Sequence, residues 1–144
     1  MICVSVVVPT FKRPPLLGQC IEALLLQDFD PSSYEVIIVD DAASDQTSCQ
    51  VEQYAKRAEM EGHTIRYFAA TNSHGPAAAR NIGLYAAYGE IIAFTDDDCI
   101  PSPGWLKAGV MEDGVITPTE AGTPQGAVAT PWTQKITFVE SVSR

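Results

Sequence analysis

Positive charge is scarce in this chain of 144 residues: nine lysines and arginines stand against eighteen acids, a net charge of −9. So acidic a surface disfavours broad contact with nucleic acid or an anionic membrane, and an anionic small ligand would need a local cation. Histidine is scarcer still. His63 and His74 share no metal-ligand spacing and read as ordinary loop residues. The four cysteines, Cys3, Cys20, Cys49 and Cys99, form no C-x-x-C pair, which argues against a zinc ribbon or a disulfide framework and for reduced thiols. No apolar run approaches the eighteen or so residues of a membrane span. The N-terminus has no basic leader, and its apolar run Val4–Val8 stops at Pro9, so no signal peptide is expected. A cytoplasmic protein is the expectation, with peripheral attachment at the inner membrane face as the alternative.

What the chain does have is one domain's length and 46% hydrophobic residues, enough for a real core. Met1 to Val8 is a β-branched run, predicted as a buried strand that Pro9 ends. A helix can start at Pro14 or Pro15, and Leu16, Leu17, Cys20, Ile21, Leu24 and Leu25 recur at helical spacing to about Gln27. Tyr34 to Val39 is a second strand, closed by Asp40-Asp41. Ser44 or Asp45 caps a second helix that Gly62 stops, and Thr64 to Phe68 alternates as a third strand. Gly75-Pro76 opens an alanine-rich helix to about Tyr88, with Gly89 as the residue just past its end. The run Ile91 to Thr95 follows as a fourth strand. This alternation predicts an α/β protein with a mainly parallel sheet. Beyond it, residues 101 to 111 read as a turn and short helix, Val115-Ile116-Thr117 as a strand, and 119 to 130 as a long loop. Trp132 to Arg144 keeps only residual apolar spacing.

The fourth strand ends in Asp96-Asp97-Asp98. Two carboxylates about 4 Å apart repel by roughly 4 kcal/mol at an effective dielectric near 20, so such a cluster invites a cation. Mg²⁺ or Mn²⁺ suits it, since hard cations take oxygen ligands and share them with substrate phosphates. A solvated acidic turn is the plain alternative. Two strands of one parallel sheet ending in acids would face a single crevice beyond their carboxyl ends.

Four stretches together carry a resemblance: Val4 to Arg13 with its Pro9-Thr10, Val39-Asp40-Asp41 to Asp45, Gly75 to Gly83, and Phe94 to Asp98. In order and spacing they resemble the successive motifs of family 2 glycosyltransferases, over about residues 3 to 118. The resemblance implies the Rossmann-like A-type glycosyltransferase fold, with helices on both faces of the sheet, binding a nucleoside diphosphate sugar. By it, Asp98 is a metal ligand, and Asp96 faces ribose or a metal-bound water and shares the metal site. Asp97 is counted with the donor-facing residues. Pro9 and Thr10 border base and ribose, one of Asp40 and Asp41 hydrogen-bonds the base, and Arg80 lies near the diphosphate or against the acid loop. A carboxylate accepts well from an imide N–H, which favours a UDP-sugar without excluding guanine.

The implied reaction is metal-dependent, inverting transfer of the sugar to an acceptor hydroxyl on a saccharide or lipid. The family's later acceptor half and catalytic acid have no match here, and Glu112, Asp113, Glu120 and Glu140 stand in no matching context. No catalytic base is therefore assigned. The chain reads as a nucleotide-sugar-binding part, recognisable over residues 1–118, with 119–144 loop-rich, incomplete and apt to promote self-association. One alternative is a binding module without turnover. Another is a nucleotidyltransferase, which would carry a glycine-rich, basic loop after the first strand where this chain has Pro9-Thr10-Phe11. Trp105 and Trp132 could stack on a sugar or pack in a core, and Lys12 and Arg13 read as solvated loop charges.

Overall fold

The computed structural model describes residues 2–71 and 74–110, together with the backbone of 135–136. Its centre is β1, Val4–Thr10, which pairs in parallel with β2, Tyr34–Asp40, on one side and with β4, Ile91–Phe94, on the other. Strand β3, Thr64–Ala69, lies outside β2, and β5, Lys135–Ile136, pairs with β4, so the sheet order is β3-β2-β1-β4-β5 with every pair parallel.

Because side chains alternate along a strand, each inner strand feeds two cores. Val4, Val6 and Val8 of β1, Tyr34, Val36 and Ile38 of β2, and Ile91 and Ala93 of β4 meet one set of helices. These are α1, Pro14–Leu25, α2, Asp45–Met60, and α4, Trp105–Val110, through Leu17, Ile21, Leu24, Val51 and Leu106 among others. On the opposite face Val7, Ile37, Val39, Ile92 and Phe94 pack on α3, Pro76–Ala86. The expected arrangement, a parallel sheet with helices on both faces, is what the chain adopts.

The differences are local and have physical causes. Strand β1 does not end at Pro9 but runs through it to Thr10, in register with Val39 and Asp40. The missing N–H is tolerated because β4 pairs with β1 only as far as Val7, so no carbonyl on that side awaits a donor from Pro9. Helix α3 stops at Ala86, and Gly89 is not its cap: a Cβ there would meet the β1 backbone at Cys3 O and Ser5 N, each at 2.8 Å. Gly89 is where the chain crosses hard against the sheet. His63 lies in the loop before β3, as expected, but is buried there, edge-on to the ring of Tyr34 at 5.6 Å, and burial lowers its pKa. Trp105 is a core residue. The cysteines are thiols, as expected. The expected strand at 115–117, the loop at 119–130, Trp132 and the acids Glu112, Asp113, Glu120 and Glu140 lie outside the described residues. Pairing at 135–136 falls where the sequence showed only residual apolar spacing.

The opposite, amino-terminal end of the strands holds a buried ion pair that the sequence did not announce. Glu35, fully buried, accepts from Ser5 Oγ at 2.8 Å, from Arg66 Nη2 at 2.9 Å and from the backbone N–H of Tyr88 at 3.0 Å. Ser5 Oγ in turn accepts from Gly89 N at 2.8 Å, and the Arg66 guanidinium stacks 4.1 Å from the Tyr88 ring centroid. This network fastens the α3–β4 connection to the sheet and so fixes where β4 begins.

Candidate functional site

At the carboxyl ends of β1, β2 and β4 the chain leaves an open cleft of about 460 Å³. Its walls are Pro9, Thr10, Phe11 and Arg13 from β1 and the loop after it, Asp41 from the end of β2, Gly75, Pro76 and Ala79 from the start of α3, and Asp96, Asp97 and Asp98. The crevice sits beside β1, where the chain has gone from β1 to β2 and β3 and returns to pair β4 on the far side. Both loops at this rim hold a non-glycine residue in the left-handed region, Lys12 at φ 52° and Ala43 at φ 49°. Such residues cost on the order of 1–3 kcal/mol and persist where surrounding contacts fix them.

The two acids ending β2 are put to different uses. Asp40 is fully buried and is not among the residues lining the cleft. One carboxylate oxygen accepts from Ala42 N at 3.0 Å, and the other from Ser44 N at 2.8 Å and Tyr67 Oη at 2.7 Å. The α2 start is therefore held by Asp40, while the Ser44 side chain, at the N-cap, makes no capping bond. Burial, then the Asp40 carboxylate, pushes the Tyr67 hydroxyl's pKa up. Asp41 does line the cleft. It accepts from Gly75 N at 3.0 Å and lies 3.1 Å from His74 Nδ1, which gives His74 a partner.

The acid triplet is likewise divided. Asp97 is buried, its Oδ2 accepting from Thr10 Oγ1 at 2.8 Å and its Oδ1 lying 3.4 Å from Arg13 Nη1. Burial raises its pKa against the opposing pull of Thr10 and Arg13. Asp96 is exposed, and Arg80 of α3 brings Nη2 to 3.9 Å from its Oδ1. Arg80 itself is not a lining residue, and its Nε is buried with no hydrogen-bond partner among the described residues. One oxygen each of Asp96 and Asp98 and the Sγ of buried Cys99 lie within 4.8 Å of one another. Two hard oxygens with room for water and phosphate fit Mg²⁺ or Mn²⁺. From α1, the Cys20 thiol donates to the Asp96 carbonyl at 3.5 Å. Burial, with the nearby Cys99 and acids, pushes its pKa to about 12, so Cys20 is a packed thiol and not a nucleophile.

Of the residues proposed from sequence, Pro9, Thr10, Asp41, Asp96, Asp97 and Asp98 thus share one cleft, Arg80 stands behind Asp96, and Asp40 lies beneath. Phe11, Arg13 and the α3 start were not anticipated there. Arg13 carried a signal all the same, as a cation placed directly after the strand that opens the crevice.

Residues 5–112 match the model of the family described as Glycosyl transferase family 2, three quarters of the chain. The chain belongs to glycosyl transferase family 2. That placement sets the nucleotidyltransferase alternative aside. Among the relatives of this family 2 chain is the poly(ribitol-phosphate) beta-N-acetylglucosaminyltransferase TarS of Staphylococcus aureus, 36% identical over 94 residues. The match covers 65% of this chain and 16% of TarS. The structure of S. aureus TarS 1-349 in complex with UDP-GlcNAc is similar with a TM-score of 0.68 at 30% identity, covering 90% of this chain and 37% of that one. The mannosyltransferase PcManGT from Pyrobaculum calidifontis, in complex with GDP-Man and Mn²⁺, gives 0.67 at 31% identity over 74% and 31%. The sheet and its helices are the A-type fold of these enzymes. The chain spans well under half the length of the relatives it matches. Among the described residues no helix is long and apolar enough to cross a membrane.

Proposed function

We propose that this chain is the nucleotide-sugar-binding part of a metal-dependent family 2 glycosyltransferase, over residues 1–118. The observation that carries this is the placing of Asp96 and Asp98, with ligand atoms within 4.8 Å, in the same cleft as Asp41 and Pro9-Thr10. Asp98 and Asp96 would hold Mg²⁺ or Mn²⁺. When bound, such an ion supplies charge stabilisation for the diphosphate as it departs.

The chain's own residues bind and orient. Asp41, on the cleft wall, accepts an N–H of the base, and Asp40 fixes the turn from which Asp41 projects. Pro9 and Thr10 form the floor against base and ribose. Arg80, 3.9 Å from Asp96 and outside the cleft lining, takes the second of its two expected places, packed against the acid loop, which it neutralises on the α3 side. The UDP-GlcNAc and GDP-Man complexes of the neighbours support a nucleoside diphosphate sugar as donor, with UDP preferred on the imide argument. Transfer would go to an acceptor hydroxyl on a saccharide or lipid, with inversion, in the cytoplasm. No described residue is assigned as the base.

The test is calorimetry with UDP-, GDP- and dTDP-sugars, each with Mn²⁺ and with EDTA, on the wild-type chain and on Asp98→Ala. Binding should require metal and fall at least tenfold in Asp98→Ala, whose thermal midpoint should hold or rise because one like charge has gone. Equal affinity with EDTA would remove the metal from the proposal.

A further inference from the structure

The cleft is acidic except at one place. Of the described residues that line it, Asp41, Asp96, Asp97 and Asp98 are acids and Arg13 is the single cation. Neighbouring Lys12 does not line it, its ammonium lying over the Phe11 ring at 5.2 Å from the centroid. Arg13 occupies the N-cap position of α1, a helix with no acid in its first turn. A cation there opposes the helix dipole, so helix stability does not explain the choice of residue.

What holds Arg13 there is Asp97. The ion pair is 3.4 Å long and lopsided, since the Asp97 side chain is 7% exposed and that of Arg13 52%. Asp97 is also fixed from behind by Thr10 at 2.8 Å. The acid is thus a buried brace and the guanidinium is the part presented to the cleft. A guanidinium carries five N–H donors in a planar fork, and the bond to Asp97 engages only one of its nitrogens. The helix start itself is poor in donors, because its first two residues, Pro14 and Pro15, have no N–H. Arg13 supplies at that point what the backbone does not.

We propose that Arg13 is a phosphate-binding residue of this cleft, positioned by Asp97, which serves as its brace and not as a ligand of donor or metal. The oxyanion it takes belongs either to the donor's diphosphate or to a phosphate carried by the acceptor. Only that attribution rests on the donor reading above.

Inorganic pyrophosphate, UDP and glycerol phosphate, each with Mn²⁺, are the probes, titrated by calorimetry into the wild-type chain, Arg13→Gln, Arg13→Lys and Asp97→Asn. Arg13→Gln should weaken pyrophosphate about tenfold or more while its thermal midpoint stays in place, since the side chain is half exposed. Arg13→Lys should recover part of the loss, as a point charge without the fork. Asp97→Asn should fall between wild type and Arg13→Gln, and if that variant does not fold the Arg13 pair still decides. Displacement of pyrophosphate by UDP makes the phosphate the donor's. Binding of glycerol phosphate beside UDP, lost in Arg13→Gln, makes it the acceptor's, and either result supports the role. Wild-type affinity of Arg13→Gln for every probe overturns it. A chain that binds pyrophosphate but not UDP overturns the donor reading alone, and a wild-type chain that binds none of the probes overturns both.

Discussion

Asp40 and Asp41 are neighbours in sequence with opposite surroundings, and substituting each should separate the two roles. Asp40→Ala leaves Tyr67 Oη and the N–H groups of Ala42 and Ser44 without their acceptor, so a loss of about 2–4 kcal/mol in urea unfolding is expected. Asp41→Ala should leave stability within about 1 kcal/mol and weaken the nucleoside diphosphate severalfold by calorimetry, with affinity for Mn²⁺ alone unchanged. The acid pair was visible in the sequence, but which member faces the ligand was not. Spacing alone does not reveal that Asp40 is the last ladder residue, paired with Thr10 and Ala69, or that Asp41 is the first residue past it. The burial of loop residue His63 was hidden for a related reason, since its partner Tyr34 is far off in the chain. Its lowered pKa means the unfolded chain binds the proton more readily. The stability it contributes is therefore fully present above its ordinary pKa near 6.5 and is lost as pH falls from there through its lowered folded-state pKa. Urea midpoints measured from pH 8 to pH 5 should decline more in wild type than in His63→Leu.

At the level of elements, the helices and strands up to residue 110 were legible from periodicity, because each buries one face and the apolar spacing records it. What escaped were effects of close contact between elements. Gly83 of α3 sits on Val7 so closely that any Cβ would collide with the valine side chain. This contact brings α3, and with it Gly75 and Pro76, down onto the sheet beside the cleft. Gly83→Ala should cost about 1–3 kcal/mol by forcing helix and strand apart, despite alanine's better helix propensity. It should also weaken nucleotide binding through the displaced α3 start, a combination that thermal melts and calorimetry on the same variant can read. Helical periodicity gives no hint of this. A glycine in an alanine-rich run simply looks like a weak position.

Among the described residues, the sheet has its two outer strands at β3 and β5, and the half-buried Arg66 on β3 makes that edge a poor template for adding another chain. The central place of β1 decides more. On one side it meets β2, as in the bond of Ser5 to Glu35, 30 residues along. On the other side, contacts such as Thr10 to Asp97 span 87 residues. Closing the longer loop costs about 1 kcal/mol more in chain entropy, so the β1–β2 pair should form before β4 docks. Val36→Ala should slow refolding in stopped-flow measurements, whereas Ile92→Val should chiefly speed unfolding. If both changes act mainly on the refolding rate, the two halves of the sheet form together. The order carries over to synthesis on the ribosome, where the crevice acquires its second wall only after the triplet has left the exit tunnel. Until then the chain exposes one unpaired edge of its central strand, and Asp96, Asp97 and Asp98 are the last of the described cleft residues to arrive.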